Sequence, residues 1–334
     1  MTFSIMYDEC FLDHRSSTSH PECPERLTSI WNRLNSDGLL ASCERILARP
    51  AAAQELSLAH NETFVSETLA ELDTGSGYLD PDTFYSPGSK NAALLTAGGT
   101  IDAARAVFER RTDFAFALHR PPGHHATPNR AMGFCIFNNI AVAAHALLKD
   151  GAKRILIFDW DVHHGNGTQD IFYNDPRVLF ISIHQWPQYP GSGRTSETGT
   201  REGTGFTVNL PFPSGASDAD YAAAMERVVR PISEKFKPEM VLVSAGFDAH
   251  EKDPLGGMRL TSNGFAHMAE CIKDIAKDTG RGPCYVLEGG YHLDALAESV
   301  SKTIQATMGK KSAPIAGAPS AACLKVIDEA LAAR

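Results

Sequence analysis

Short, continuously apolar runs recur along the chain and alternate with longer stretches whose apolar residues fall at helical spacing. The runs Ser4–Tyr7, Phe114–Leu118, Arg154–Phe158, Val178–Ile183, Met240–Ser244 and Cys284–Leu287 predict strands. Most lack polar alternation, which is the pattern of strands covered on both faces. Between them, segments 25–37, 90–110, 138–149, 218–236, 262–278 and 293–308 predict helices. The stretch 309–321, rich in Pro, Gly, Ala and Ser, reads as a linker into a terminal helix at 322–333. This β-α-β-α order predicts an α/β fold, three αβα layers around a mostly parallel sheet.

Each strand after the first runs into residues with chemistry. Leu118 leads into "HRPPGHHA", Phe158 into "DWDVHH", Ile183 into His184, Ser244 into "AGFDAH" and Leu287 into "EGGYH". Ligands of open α/β sheets bind beyond the carboxyl ends of the strands. The segments from 119 to 291 should therefore converge on one sheet edge, and residues 1–334 read as one domain.

Bulk properties narrow the function. A chain of 334 residues accommodates a large α/β domain. A net charge of −9 and a pI near 5.8 argue against nucleic-acid or anionic-membrane partners, which call for a basic surface. No stretch reaches the ~20 apolar residues of a membrane span. Seven scattered cysteines without a CxxC pair fit free thiols in a reducing compartment. The start "MTFSIMYDEC" has neither the basic nor the apolar region of a secretory signal, so a cytoplasmic location is expected. A homo-oligomer is compatible with all of this.

Within "IFDWDVHHGN", Asp159, Asp161 and His163 stand at i, i+2 and i+4, which point to one side of an extended chain. A lone DxD is ordinarily solvated, but the histidines that follow turn the reading toward a metal. Asp248 in "SAGFDAH" could cap a turn. Together with Asp161 and His163 it makes three protein ligands with one position open, the count of a catalytic site. His124 and His125 follow the rigid Pro121-Pro122-Gly123 loop and read either as exposed loop residues or as an acid/base pair. Asp159 and Asn166 are available to orient them. Tyr291, after two glycines, reads as a core tyrosine or as a hydrogen-bond donor to a developing oxyanion. Cys135 in "FCIF" reads as buried packing. The chain contains no GxSxG, Walker A, GxGxxG or HExxH motif.

Taken together, "RPPGHHA", "GFCIFNN", "DWDVHHGNGTQ", "SAGFDAHEKDPLGG" and "LEGGYH" resemble the zinc-dependent histone deacetylase family of the arginase/deacetylase superfamily. The likeness is to its class II-like branch and bacterial amidohydrolase relatives, and extends from "SHPECPERL" at 19–27 past Tyr291. The resemblance implies one catalytic Zn2+ held by Asp161, His163 and Asp248. It makes His125 the general base and acid, His124 a cationic stabiliser, Asp159 and Asn166 their partners, and Tyr291 the oxyanion donor. It implies an apolar channel of Phe134, Tyr189 and Leu255, a rim carboxylate at Asp82, and a product-exit role for Arg26. Two structural K+ sites follow, one using Asp159, Asp161, His163, Ser182 and Ile183, the other carbonyls of Phe172, Asp175, Val178 and Phe206. The implied substrate is an acetylated lysine side chain or a small acetylated amine, with acetylpolyamine as the alternative. Leu255 stands where polyamine-selective relatives carry a glutamate. Two carboxylates and one imidazole would also accept Fe(II) or Co(II). A dinuclear manganese ureohydrolase is disfavoured because Gly165 occupies the place of its bridging aspartate. A non-catalytic acyl-lysine reader is disfavoured by the intact residue set.

Overall fold

In the structure, a computed structural model describing residues 2–334, all six predicted strands form. They are β1 (Phe3–Met6), β5 (Phe114–Ala117), β6 (Ile155–Asp159), β7 (Val178–Gln185), β9 (Met240–Ala245) and β10 (Pro283–Leu287). Four further strands were not foreseen: β2 (Cys43–Ile46), β3 (Gly77–Asp80), β4 (Thr83–Tyr85) and β8 (Thr207–Phe212). β2 is a half-exposed edge strand, "CERI", and so lacks an apolar run. In β8 the run is broken by Asn209 and Pro211, which an edge strand tolerates.

Eight strands make one parallel sheet in the order β2-β1-β5-β10-β9-β6-β7-β8, and β3 and β4 pair separately as an antiparallel hairpin. Every residue of β5, β6, β7, β9 and β10 is buried. Each Val, Leu, Ile or Phe among them contributes about 1.5–3 kcal/mol by leaving water. The helices Ser89–Phe108 and Asn139–Lys149 pack on each other, as do Glu25–Ser36, Ser262–Lys277 and Leu293–Met308. Both groups reach the sheet, giving the αβα layers.

The predicted helix 218–236 is interrupted. Helical turns at Asp218–Ala224 and Arg230–Phe236 flank a π-helical turn, Met225–Val229. Pro231 supplies the reason, since it has no N–H to donate and its ring crowds the preceding turn. The terminal helix spans Ala321–Ala332 and buries Cys323, Ile327 and Ala330. The segment before it is tied down: Ala313 N–H donates to Asn263 at 2.8 Å and Ser320 N–H to Asp220 at 2.6 Å. No helix among the described residues is long and apolar enough to cross a membrane.

Candidate active site

The sheet order puts β5, β10, β9, β6 and β7 side by side, and their carboxyl ends carry His124/His125, Tyr291, Asp248, Asp161/His163 and His184 in turn. Chain segments more than a hundred residues apart thus meet above the middle of the sheet.

β6 ends at Asp159, so strand alternation does not extend to Asp161 and His163, which lie in the bend beyond it. Trp160 anchors that bend. Its ring is fully buried among Phe158, Phe247, Phe265 and Tyr285, with centroids 5.8–6.3 Å away. Asp159 and Asp161 consequently serve different neighbours. Asp159 Oδ2 lies 3.0 Å from His124 Nδ1. Asp161 joins His163 and Asp248 instead, in a group whose donor atoms all lie within 4.8 Å of one another.

The fit of this group to a metal can be judged from the atoms. Asp161 Oδ1 accepts the His163 N–H at 2.9 Å, Asp161 Oδ2 accepts the Gly289 N–H at 2.8 Å, and Asp248 Oδ1 accepts the Val162 N–H at 2.8 Å. Asp248 Oδ2 is buried and has no aligned hydrogen-bond donor, although His163 Nδ1 is only 3.2 Å away. Burial and the adjacent Asp161 push the Asp248 carboxyl up to about 7. Gly289 closes the cradle: a Cβ there would lie 2.0 Å from Asp248 Oδ2 and 2.7 Å from Asp161 Oδ2. Two carboxylates, one imidazole and a space kept clear by glycine fit a divalent cation.

The paired histidines differ sharply. Burial alone would drive the His124 imidazole down, but Asp159, Asp161 and Glu288 reverse this and hold it at about 10. His125 lies well below the ordinary 6.5 because of burial and the charge of His124, its ring centroid 4.0 Å away. Its Nδ1 lies 2.8 Å from Asn166 Oδ1, a neutral partner that compensates little. One imidazole is therefore cationic and its neighbour neutral near pH 7. Gly165 permits the arrangement, since a Cβ there would stand 2.1 Å from Asp159 Oδ2.

Above the pair is a cavity of about 200 Å³ lined by Asp82, Phe134, Tyr189, Leu255 and Tyr291 with the histidines. The Tyr189 ring stands edge-on to His125 at 5.1 Å, and Phe134 is edge-on to Tyr291 at 6.0 Å. Phe134 adopts φ +68°, which is unusual for an aromatic residue. Its N–H donates to Thr83 Oγ1 at 3.2 Å, and the N–H of Gly133 donates to Asp82 Oδ1 at 3.1 Å. The β3–β4 hairpin thus aims the Phe134 ring inward. Beneath Tyr291, the buried Arg26 donates from Nε to Gly290 O at 2.6 Å and stacks 5.1 Å from the tyrosine ring.

The residues named for monovalent cations sit around β7. Ser182 pairs in register with Asp159, and its Oγ lies 2.9 Å from His184 Nδ1, with Ile183 between them in sequence. Phe172 O, Asp175 O and Phe206 O accept N–H groups of Asp175, Val178 and Phe180 respectively at 2.9–3.3 Å. A carbonyl that accepts one hydrogen bond keeps a second lone pair.

Several groups at the site escape sequence reasoning. Asp253 Oδ2 accepts the Tyr291 N–H at 2.6 Å while Oδ1 accepts the Leu255 N–H at 2.9 Å, so one carboxylate sets both a wall and the floor of the cavity. Glu22 is fully buried between Arg26 and Arg120. Glu288 accepts backbone N–H groups of the histidine loop. For Glu288 the sequence signal is a carboxylate directly after the apolar run "CYVL". His164, without a role from sequence, lies between Ser192 Oγ at 2.8 Å and Gln169 Oε1 at 3.0 Å. Cys135 is fully buried, and burial pushes its thiol well above the ordinary value.

The chain is similar to known proteins along most of its length. The family described as "Histone deacetylase domain" matches residues 20–307. A "Probable deacetylase" of Archaeoglobus fulgidus is 42% identical over 311 residues, covering 92% of this chain and 86% of that protein. The human "Polyamine deacetylase HDAC10" is 41% identical over all of this chain, which spans only 52% of the human protein's length. Among solved structures, the HD domain of HDA15 superposes with a TM-score of 0.94 at 38% identity, covering 99% of this chain and 94% of that one.

Proposed function

The chain belongs to the histone deacetylase family, and from that premise we propose that it is a zinc-dependent deacetylase, a hydrolase acting on the acetyl-lysine side chain. The observation that carries this reading is the three-residue ligand group, with its orphaned Asp248 Oδ2, at the floor of an apolar channel beside one cationic and one neutral imidazole. A divalent cation bound by Asp161, His163 and Asp248 supplies Lewis-acid chemistry, polarising a carbonyl and acidifying water.

The chain's own groups do the rest. Phe134, Tyr189 and Leu255 enclose the methylene stem of the substrate, and Asp82 receives a donor at the rim. Neutral His125 removes the proton from the attacking water and later returns it to the departing amine. Cationic His124, held by Asp159, and the Tyr291 hydroxyl stabilise the developing oxyanion. Asn166 fixes the His125 ring through Nδ1, leaving Nε2 to handle the proton. The acetate product departs past Arg26. Structural K+ would be held by Asp159, Asp161, His163, Ser182 and Ile183 at one site and mainly by carbonyls of Phe172, Asp175, Val178 and Phe206 at another, oxygen donors being suited to a hard cation. The whole chain serves as one catalytic domain in the cytoplasm.

Acetylpolyamine is the second reading. Asp80 and Asp82 favour a cationic substrate at the rim, but Arg130 pairs with Asp80, and the apolar Leu255 offers no acceptor for a secondary ammonium. The test is turnover by zinc-loaded protein on acetyl-lysine peptides, acetylspermidine and acetylputrescine. The reading expects the peptides to be preferred, and a preference for the polyamines would reverse the assignment.

A further inference from the structure

Glu288 is a fully buried carboxylate beside the paired histidines, and beyond a minor share in holding His124 cationic the reaction proposed above gives it no part. Its Oε2 accepts the N–H of Gly123 at 2.7 Å and of His124 at 3.1 Å, while Oε1 meets Ser244 Oγ at 3.2 Å. The loop it grips is unusual. Pro121 and Pro122 have no N–H, so Gly123 and His124 carry the first donors after Arg120, and both residues are buried. A buried N–H without a partner is costly, yet these two are met by no helix or strand.

The residues after Glu288 each hold another part of the site. Gly289 N–H donates to Asp161 Oδ2 at 2.8 Å, Gly290 O accepts from Arg26 at 2.6 Å, and Tyr291 N–H donates to Asp253 at 2.6 Å. The end of β10 is therefore a common reference for the metal group, the tyrosine and the histidine loop. Burial raises the Glu288 carboxyl to about 7, and His124 and the Gly123 N–H work against that rise. Its task toward the loop is to accept two N–H groups, which a neutral side chain with an acceptor oxygen in the same place also does.

We propose that Glu288 is the positioning residue of the His124–His125 pair, its carboxylate clamping the Gly123 and His124 N–H groups to the end of β10. This inference rests on the hydrolase reading for its consequence. The clamp sets where both imidazoles stand relative to Tyr291 and Asp161, so its loss slows turnover without weakening the hold on the substrate stem.

The test compares zinc-loaded wild type with Glu288→Gln, Glu288→Asp and Glu288→Met. Two quantities are read: kcat and KM on an acetyl-lysine peptide, and hydrogen–deuterium exchange of the peptide spanning 121–126. Glutamine keeps an acceptor for both N–H groups and donates to Ser244, so kcat stays within about 3-fold of wild type. Methionine fills the space with no acceptor, so kcat falls about 10- to 100-fold, as for other partners that orient catalytic ligands, with KM within about 3-fold. Aspartate keeps the charge but withdraws it by one methylene, and falls between the two. Exchange at 121–126 rises in the same order while the rest of the chain stays protected. Equal kcat and equal exchange in all three variants would overturn the proposal. Should the Met variant not fold, the Asp–Gln comparison decides, and aspartate performing as well as glutamine overturns it. If wild type itself does not turn over, the hydrolase reading fails, and the exchange arm still tests the clamp.

Discussion

Replacing Asn166 by aspartate puts a carboxylate where the His125 ring has a neutral acceptor, 2.8 Å from Nδ1. The separation of charge centres is then about 4 Å, worth roughly 4 kcal/mol at an effective dielectric constant near 20. That would raise the His125 pKa by about 3 units at 1.36 kcal/mol per unit. Two effects take part of this back: Asn166 is buried, so the new charge is desolvated, and Asp159 repels it. A net rise of about 1–2 units remains. His125 acts as a base only when neutral, so activity is lost as pH falls through its pKa. In wild type, burial and the charge of His124 keep that point below the ordinary 6.5. The acid limb of kcat/KM should therefore move upward by about 1–2 pH units in Asn166→Asp, measured on zinc-loaded protein from about pH 5 to about pH 9. An acid limb that stays in place, with metal content unchanged, would refute the assignment of His125 as the base.

Three further outcomes are expected. Gly289→Ala puts a Cβ 2.0 Å from Asp248 Oδ2, which must move by about 1.4 Å to reach ordinary contact at 3.4 Å, so zinc affinity in a chelator competition should drop at least about 10-fold without loss of fold; unchanged affinity would contradict the assigned cradle. Tyr291→Phe should lower kcat about 100-fold with little change in KM, the usual cost of removing one oxyanion donor; full activity in this variant would remove Tyr291 from the mechanism. Stability should fall on acidification in two stages. Burial depresses His14 and His119 to about 3 and His60 to about 4, so their contribution is complete above the ordinary 6.5 and is lost as pH falls toward those values. Glu22, which burial would raise but Arg120 and Arg26 hold down to about 2, adds a loss below its ordinary 4.5. A urea midpoint constant between about pH 7 and about pH 4 would contradict this.

How much could be read from the residues differs between fold and site. The buried central strands announce themselves because both faces need apolar side chains, and "VLFISI" or "MVLVS" can hardly be anything else. β2 and β8 are edge strands whose exposed or interrupted faces leave no such run, so only pairing with β1 and β7 reveals them. The interrupted helix at 225–229 depended on how the structure absorbs Pro231, which periodicity does not encode. At the site, side chains that carry reactive chemistry stood out by type and position, among them His125, Asp161 and Tyr291. Glu288, Asp253 and Glu22 did not, because their task is to receive backbone N–H groups or, for Glu22, the Arg120 guanidinium from distant parts of the chain. Sequence spacing put Asp159 on the same side as Asp161 and His163 and left it available to orient a histidine; the early end of β6 and the buried Trp160 turn it toward His124.

The most direct test of the central claim is turnover of an acetyl-lysine peptide by protein stripped of metal and then titrated with zinc. Activity should be absent after stripping, rise in proportion to added zinc, and level off at one equivalent bound per chain. In Asp248→Ala the same titration should give neither tight binding nor turnover. Hydrolysis that persists in metal-free protein, or its absence from protein with zinc bound at Asp161, His163 and Asp248, would contradict the account.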